Sequence, residues 1–209
     1  MLKVISFDVD GTLVDSSFAD KVWLEGVPAL YAEQHTIDFE TAKTIVKKAY
    51  DCVGEDDIRW YQLDYWFNRF ELQGVPHNLL YQYRNFVCVY EEVPHILEHF
   101  KEYTLVIASN AHKDFLSFTL SGIEQYFDYI FSATSDFKRV GKDKEFYQDI
   151  CQILEVDPTE MAHVGDHYTF DYIIPLKIGI NAFFLDREGD KGIRTLTEFE
   201  KIVENLDKD

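Results

Sequence analysis

Short, almost uninterrupted apolar runs occur once at the start of the chain and repeatedly in its second half: "VISF" (4–7), "TLVIAS" (104–109), "YIFSA" (129–133), "MAHVG" (161–165) and "AFFL" (182–185). Runs this short and this uniformly apolar predict parallel strands buried on both faces. Between them, apolar positions recur at helical spacing in "HKDFLSFTLSG" (112–122), "DKEFYQDICQILEV" (143–156) and "FDYIIPLKIG" (170–179). The first and third close on Gly122 and Gly179, which fit helix C-termini, and Pro175 limits or kinks the third. Strand and helix alternate throughout this half, so the pattern predicts an α/β fold built on a doubly wound, mainly parallel, Rossmann-like sheet.

Residues 16–89 interrupt that alternation. "DFETAKTIVKKAYDCV" (38–53), "EDDIRWYQLDYWFNRFELQG" (55–74) and "PHNLLYQYRNFVCVY" (76–90) read as consecutive helices inserted after the first strand. Asp38 suits the N-cap of the first, and Pro76 suits the start of the third. The aromatic cluster Trp60, Tyr61, Tyr65, Trp66, Phe67 and Phe70 reads as packing between these helices rather than as a ligand cage.

Composition adds limits. With 209 residues, 46% of them hydrophobic and 16% aromatic, the chain can bury a sizeable core. Its 38 acidic against 20 basic residues give a formal charge of −18. That lacks the basic footprint of general nucleic-acid binding. It also repels an anionic substrate at long range unless a metal or local cation reverses the field at the site. Cys52, Cys88 and Cys151 are far apart and read as buried thiols rather than a disulfide framework. The start "MLKVISFDVDG" lacks the charge and apolar pattern of a signal peptide, and no apolar run reaches membrane-spanning length. A cytoplasmic protein with no membrane partner is expected; oligomeric state is not legible.

Ligand sites in open α/β sheets form beyond the carboxyl ends of the strands. Asp8-Val9-Asp10-Gly11-Thr12 closes the first strand and Ser109-Asn110 the second, Lys142 follows the third, and Gly165-Asp166 with Asp171 follows the fourth. Each alone is unremarkable in so acidic a chain: Ser109-Asn110 is an ordinary turn, Lys142 a surface lysine, Asp171 a helix cap. Their order and common position are not.

In these motifs the chain resembles the haloacid dehalogenase superfamily, most of whose members are phosphatases. "DVDGT", "VIASN" and "GDHYTFD" match three of its motifs across residues 1–15 and 90–209, and the insertion at 16–89 stands where the family places an all-helical cap. The lysine motif departs from the usual Lys-Pro: "KRVGKDKEF" offers Lys142 in the best register, with Lys138 and Lys144 as alternatives.

The resemblance implies Asp8 as a nucleophile that forms an aspartyl-phosphate, and Asp10 as the acid and base that protonates the leaving alcohol and then activates water. It implies Mg²⁺ bound by the Asp8 carboxylate, the Asp10 carbonyl and the Asp166 carboxylate, with Asp171 behind or through water. Ser109, Asn110 and the following N–H groups, with Gly11, Thr12 and Lys142, would hold the phosphate. Asp15 reads as a linker residue at the insertion's entrance, His112 and His167 as loop residues beside two motifs, and His163 as a satisfied core histidine.

The expected activity is Mg²⁺-dependent hydrolysis of a small phosphorylated metabolite. A carbon–halogen hydrolase or phosphomutase of the same superfamily, or a binding protein that kept the fold, are the alternatives. Asp10 favours phosphate, because a departing halide needs no proton. Among the insertion's cations (Lys21, Arg59, Arg69, Arg84), Arg59 is the candidate partner for a substrate carboxylate, as in a phosphoglycolate-like ligand.

Overall fold

The computed structural model describes residues 1–206. Five parallel strands, β1 (Val4–Phe7), β2 (Thr104–Ser109), β3 (Tyr129–Ser132), β4 (Met161–Gly165) and β5 (Asn181–Phe184), form one sheet in the order β3-β2-β1-β4-β5. Every predicted strand is present, with boundaries within a residue of those read from the apolar runs. Phe7 lies opposite Ile107 on one side and Val164 on the other. Asp8, Ser109 and Asp166 therefore leave the sheet at one edge.

Alternation along β1 sends its side chains to two cores. Ile5 and Phe7 join a cluster with Leu97, Phe100 and Phe199, where Phe7 meets Phe199 edge to face at 5.9 Å. Val4 joins a cluster on the opposite face with Val106, Phe146, Tyr147 and Ile150. Burial of each such large side chain contributes about 1.5–3 kcal/mol, and it is the pairing of two apolar faces that holds the sheet between helices.

The helix Lys144–Ile153 starts at Asp143, whose side chain accepts from the Phe146 N–H at 2.7 Å. The predicted helix over 170–179 is divided. A π-helical stretch, Tyr168–Ile173, passes into a short α-helix, Ile174–Lys177, with Pro175 in its first turn, where no N–H is needed.

The segment 16–89 is helical. It contains Ser17–Lys21, Val22–Gly26 (π-helical), Val27–His35, Phe39–Val53, Leu63–Arg69 and Pro76–Tyr83. Asp38 caps the helix Phe39–Val53 through the Thr41 N–H at 3.0 Å, and Pro76 opens its helix, both as the sequence predicts. The continuous helix expected over 55–74 is not formed. Asp57 accepts from the Arg59 N–H and starts a separate 3-10 turn, Ile58–Tyr61, after which Gln62 is extended (φ −105°, ψ 107°). The helix expected over 76–90 stops at Tyr83. These helices share an apolar cluster centred on Trp66 and Leu80, and Phe115 joins it from the helix Lys113–Thr119 after β2. Trp23 stacks on Phe115 at 5.1 Å, fixing the insertion over the carboxyl edge of the sheet.

The cysteines correct the sequence expectation. All three are free, but only Cys151 is buried, while Cys52 and Cys88 are exposed. No helix among the described residues is long and apolar enough to cross a membrane.

Candidate active site

The carboxyl edge of the sheet and the inner side of the helical insertion enclose a cavity of about 1140 Å³. At its base Asp8, only 7% exposed, accepts from Lys142 Nζ at 2.6 Å. The same ammonium donates to the Ala108 carbonyl at 3.2 Å and is paired with Asp171. Lys138 and Lys144 are exposed, so Lys142 is the lysine that the fold brings to the site. Its loop is shaped for this: Gly141 takes φ +79°, and its N–H is held by Asn110 Oδ1 at 2.9 Å.

Asp171 is fully buried and both carboxylate oxygens have partners. Oδ1 meets Lys142, His163 Nε2 (3.1 Å) and the Tyr147 hydroxyl (3.4 Å), while Oδ2 accepts from the His167 N–H at 3.0 Å. His163 is the satisfied core histidine expected, bonded also to Ser6 Oγ at 2.9 Å and Tyr147 at 3.0 Å. It is also more than that, because the Ser6–His163–Tyr147 network fixes the carboxylate that fixes Lys142.

Charge sets the protonation states. Burial disfavours an ionised Asp171, yet the Lys142 ammonium and His163 outweigh it and hold its pKa well below the ordinary carboxylate value. Burial likewise works against a charged Lys142, but Asp171 and Asp8 outweigh it and raise its pKa. Burial and, next, the negative charge of Asp8 push the Asp10 carboxyl up to about 7. Asp166 is pushed up to about 7 by burial and by Asp8 and Asp171. For Asp8, burial and Asp171 outweigh the pull of Lys142 and raise its pKa.

Carboxylate oxygens of Asp8, Asp166 and Asp171 lie within 4.8 Å of one another. Asp171 spends its oxygens on Lys142 and its neighbours, so it stands behind the group as an anchor rather than as an open ligand. Asp166 has no hydrogen-bond or ion partner among the described residues and abuts Gly11. The Asp166 carboxylate and the Asp8 oxygen that Lys142 does not hold are hard oxygens close together, with no protein cation between them among the described residues, which fits a divalent cation of the Mg²⁺ type.

The turn after β1 depends on one glycine. Gly11 has φ +76°, and a Cβ there would collide with the Asp166 carboxylate. Gly11→Ala is therefore expected to cost about 1–3 kcal/mol through backbone strain and displacement of Asp166; an unchanged thermal midpoint would contradict this. The glycine does not free N–H groups for a ligand, however, because its own donates to the Val14 carbonyl at 2.7 Å. Thr12 is a further correction. Its N–H donates to the Val9 carbonyl, and its side chain is fully buried with Oγ1 unpartnered, so it shapes the turn and does not face the cavity.

Ser109 lines the cavity, its Oγ accepting from the Ala111 N–H at 3.1 Å and keeping its own proton to donate. Asn110 spends its amide oxygen on the lysine loop. Asp15 accepts from the Ser17 N–H at the entrance to the insertion. His112 and His167 both line the cavity, each with Nδ1 accepting a backbone N–H, from Asp114 and Phe170.

Arg187 is a site residue that sequence reasoning missed. It donates to the Gly11 carbonyl at 3.1 Å and the Thr12 carbonyl at 2.6 Å, pairs with Glu92 at 2.8 Å, and lies 3.5 Å over the Tyr90 ring. It clamps the turn that carries Asp10. The available signal was a lone arginine just past β5, at the same carboxyl edge as the other motifs.

The insertion's cations are placed elsewhere. Arg59 is tied to Asp57 through Nε and Nη2, Lys21 to Glu25, Arg69 to the Tyr65 hydroxyl, and Arg84 to the Tyr81 carbonyl. None of the four lines the cavity, and Arg59 is not the carboxylate partner that the sequence suggested. The aromatic expectation divides: Trp66, Phe67 and Phe70 are packed in the insertion's core, whereas Trp60 and Tyr61 form part of the cavity wall.

A parallel, doubly wound sheet with an aspartate-rich site at its carboxyl edge under a helical insertion defines a Rossmann-like α/β core with a carboxylate-based site. The model of the haloacid dehalogenase-like hydrolases matches residues 2–174. The chain belongs to that family. It is 30% identical over 88 residues to haloacid dehalogenase-like hydrolase domain-containing protein 3 of Danio rerio, a match over 42% of this chain and 36% of that protein. Thus the chain spans about a third of that curated relative's length. A solved HAD phosphatase from Thermococcus onnurineus is 25% identical, with a TM-score of 0.84 over 97% of this chain and 98% of the other. A 2-haloacid dehalogenase from Pseudomonas syringae pv. Tomato DC3000, 21% identical, has the same fold with a TM-score of 0.72 over 98% and 99%.

Proposed function

We propose that this hydrolase is a Mg²⁺-dependent phosphomonoesterase, with residues 1–15 and 90–209 as its catalytic core and 16–89 as a cap that closes over a small phosphorylated metabolite. Asp8 attacks phosphorus, the ester P–O bond breaks, and the leaving oxygen takes the proton of Asp10. Asp10, now a carboxylate, removes a proton from the incoming water, which attacks the aspartyl-phosphate; inorganic phosphate leaves and Asp8 and Asp10 return to their starting states. Lys142 holds Asp8 in place and offsets the phosphate's charge, and Ser109 donates to a phosphate oxygen. Asp8, Asp166 and the Asp10 carbonyl would hold the Mg²⁺, whose charge, when bound, lowers the repulsion between the carboxylates and the phosphate.

The observation that carries this reading is Asp10. It lines the cavity beside Asp8, and burial and the neighbouring Asp8 push its carboxyl up to about 7, so a protonated fraction is available at neutral pH beside the attacking carboxylate. Cleavage of an ester needs that proton and release of a halide does not, which is why the phosphatase reading is preferred over the dehalogenase one. The test is turnover of an aryl phosphate with and without metal. Excess EDTA is expected to lower the rate at least about 100-fold and added Mg²⁺ to restore it. Release of halide from a 2-haloacid in EDTA, with no phosphatase activity, would overturn the assignment.

A further inference from the structure

The cavity that holds Asp8 also carries acidic side chains and aromatic rings of the insertion. Trp23, Trp60 and Tyr61 line it together with Asp20, Glu55 and Asp56. Trp23 and Trp60 stand 5.8 Å apart and tilted at 32°, with Tyr61 edge-on to Trp60 at 5.0 Å. Both tryptophans are held by buried partners. The Tyr50 hydroxyl donates to the Trp23 carbonyl at 3.2 Å, and Trp66 Nε1 donates to the Trp60 carbonyl at 3.0 Å. The Trp23 ring is itself stacked on Phe115 at 5.1 Å and packs against Trp60, so it is committed to holding the wall in place, and Trp60 and Tyr61 are the rings left to meet a ligand at little ordering cost.

No insertion cation answers the three carboxylates. The lysine and arginine that do line the cavity are both committed, Lys142 to Asp8 and Asp171 and Arg187 to Glu92, Tyr90 and the turn after β1. Glu55 and Asp56 are exposed and form no ion pair among the described residues. A leaving group that bears a carboxylate would meet like charge here with nothing to neutralise it. An ammonium would meet the opposite charge and the negative faces of aromatic rings, an arrangement that attracts cations.

We infer that the leaving group of the substrate is cationic, so that this chain acts on phosphomonoesters of amino alcohols rather than on phosphorylated carboxylic acids. The inference rests on the phosphomonoesterase reading and deepens it. The ammonium sits against Trp60 and Tyr61 with Glu55 and Asp56 beside it, while the phosphate lies at Asp8 and Lys142. It is the released amino alcohol that receives the Asp10 proton.

The test compares kcat/KM with Mg²⁺ for 2-aminoethyl phosphate, phosphoglycolate, a nucleoside monophosphate and an aryl phosphate. The expected result is a preference for 2-aminoethyl phosphate over phosphoglycolate of at least about tenfold. In the Glu55→Gln, Asp56→Asn double variant, that ratio should fall by about tenfold or more, through KM rather than kcat. Trp60→Leu provides a second reading of the same wall and should also reduce the ratio. Turnover of phosphoglycolate or the nucleotide as well as 2-aminoethyl phosphate, or a ratio unchanged in both variants, overturns the inference while aryl phosphate turnover leaves the phosphomonoesterase reading standing. Failure to hydrolyse even the aryl phosphate removes both.

Discussion

Asp8→Asn is expected to reduce kcat for Mg²⁺-dependent aryl phosphate hydrolysis by at least about 1000-fold, because an amide oxygen is too weak a nucleophile to form the acyl-phosphate bond. The substitution keeps the volume and leaves an oxygen for Lys142 Nζ, which stands 2.6 Å from Asp8 in the folded chain. It also removes a carboxylate whose ionised form burial and Asp171 disfavour. The thermal midpoint without metal should therefore stay within a few degrees of the parent, and circular dichroism should be unchanged. Two results would count against the nucleophile assignment: turnover close to the parent's, or loss of activity accompanied by loss of fold. Mass spectrometry of the parent, quenched during turnover, should find the phosphoryl group on Asp8 and the variant should carry none.

The β-sheet and most of the site were legible because both are written in local patterns. A parallel strand buried on two faces must be apolar throughout, and "VISF" and "MAHVG" show it. Asp8, Ser109 and Asp166 were legible because each directly ends or follows such a run. Lys142 is one of three lysines, and what selects it is the left-handed Gly141 just before it together with an amide remote in sequence, that of Asn110, which holds the glycine.

What the sequence concealed was how polar groups are committed. Arg59 looked available to a substrate, but Asp57, two residues before it, takes its guanidinium. Thr12 looked like a phosphate ligand, but the tightness of the turn directs it into the core. His163 and Tyr147 fall on apolar faces of a strand and a helix, and only their meeting at Asp171 gives them a part in the site. The division of 55–74 into two elements likewise turns on Asp57, whose capping competes with helix continuation. That break is what brings Trp60 and Tyr61 to the cavity while Trp66 stays in the insertion's core.

Lys142→Met should damage stability as well as chemistry, and the two effects can be separated. Lys142 is 3% exposed, and its ammonium is the counter-ion of two buried carboxylates, Asp8 and Asp171. Methionine fills the volume but leaves both carboxylates without that partner, which for buried charges costs about 3–5 kcal/mol. For a chain of this size that corresponds to a fall in thermal midpoint on the order of 10 °C. His163 and the His167 N–H still reach Asp171, so the strain falls mainly on Asp8 and on the oxygen that Lys142 vacates. Adding Asp171→Asn to Lys142→Met removes one of the stranded charges and should recover part of the lost stability. It should recover no activity, because neither change restores a cation beside Asp8. Differential scanning calorimetry of the single and double variants, with kcat measured well below both midpoints, distinguishes the roles. A midpoint unchanged in Lys142→Met would show that the ammonium is not the buried counter-ion described. Activity regained in the double variant would show that Lys142 serves only to neutralise Asp171 and takes no part in catalysis.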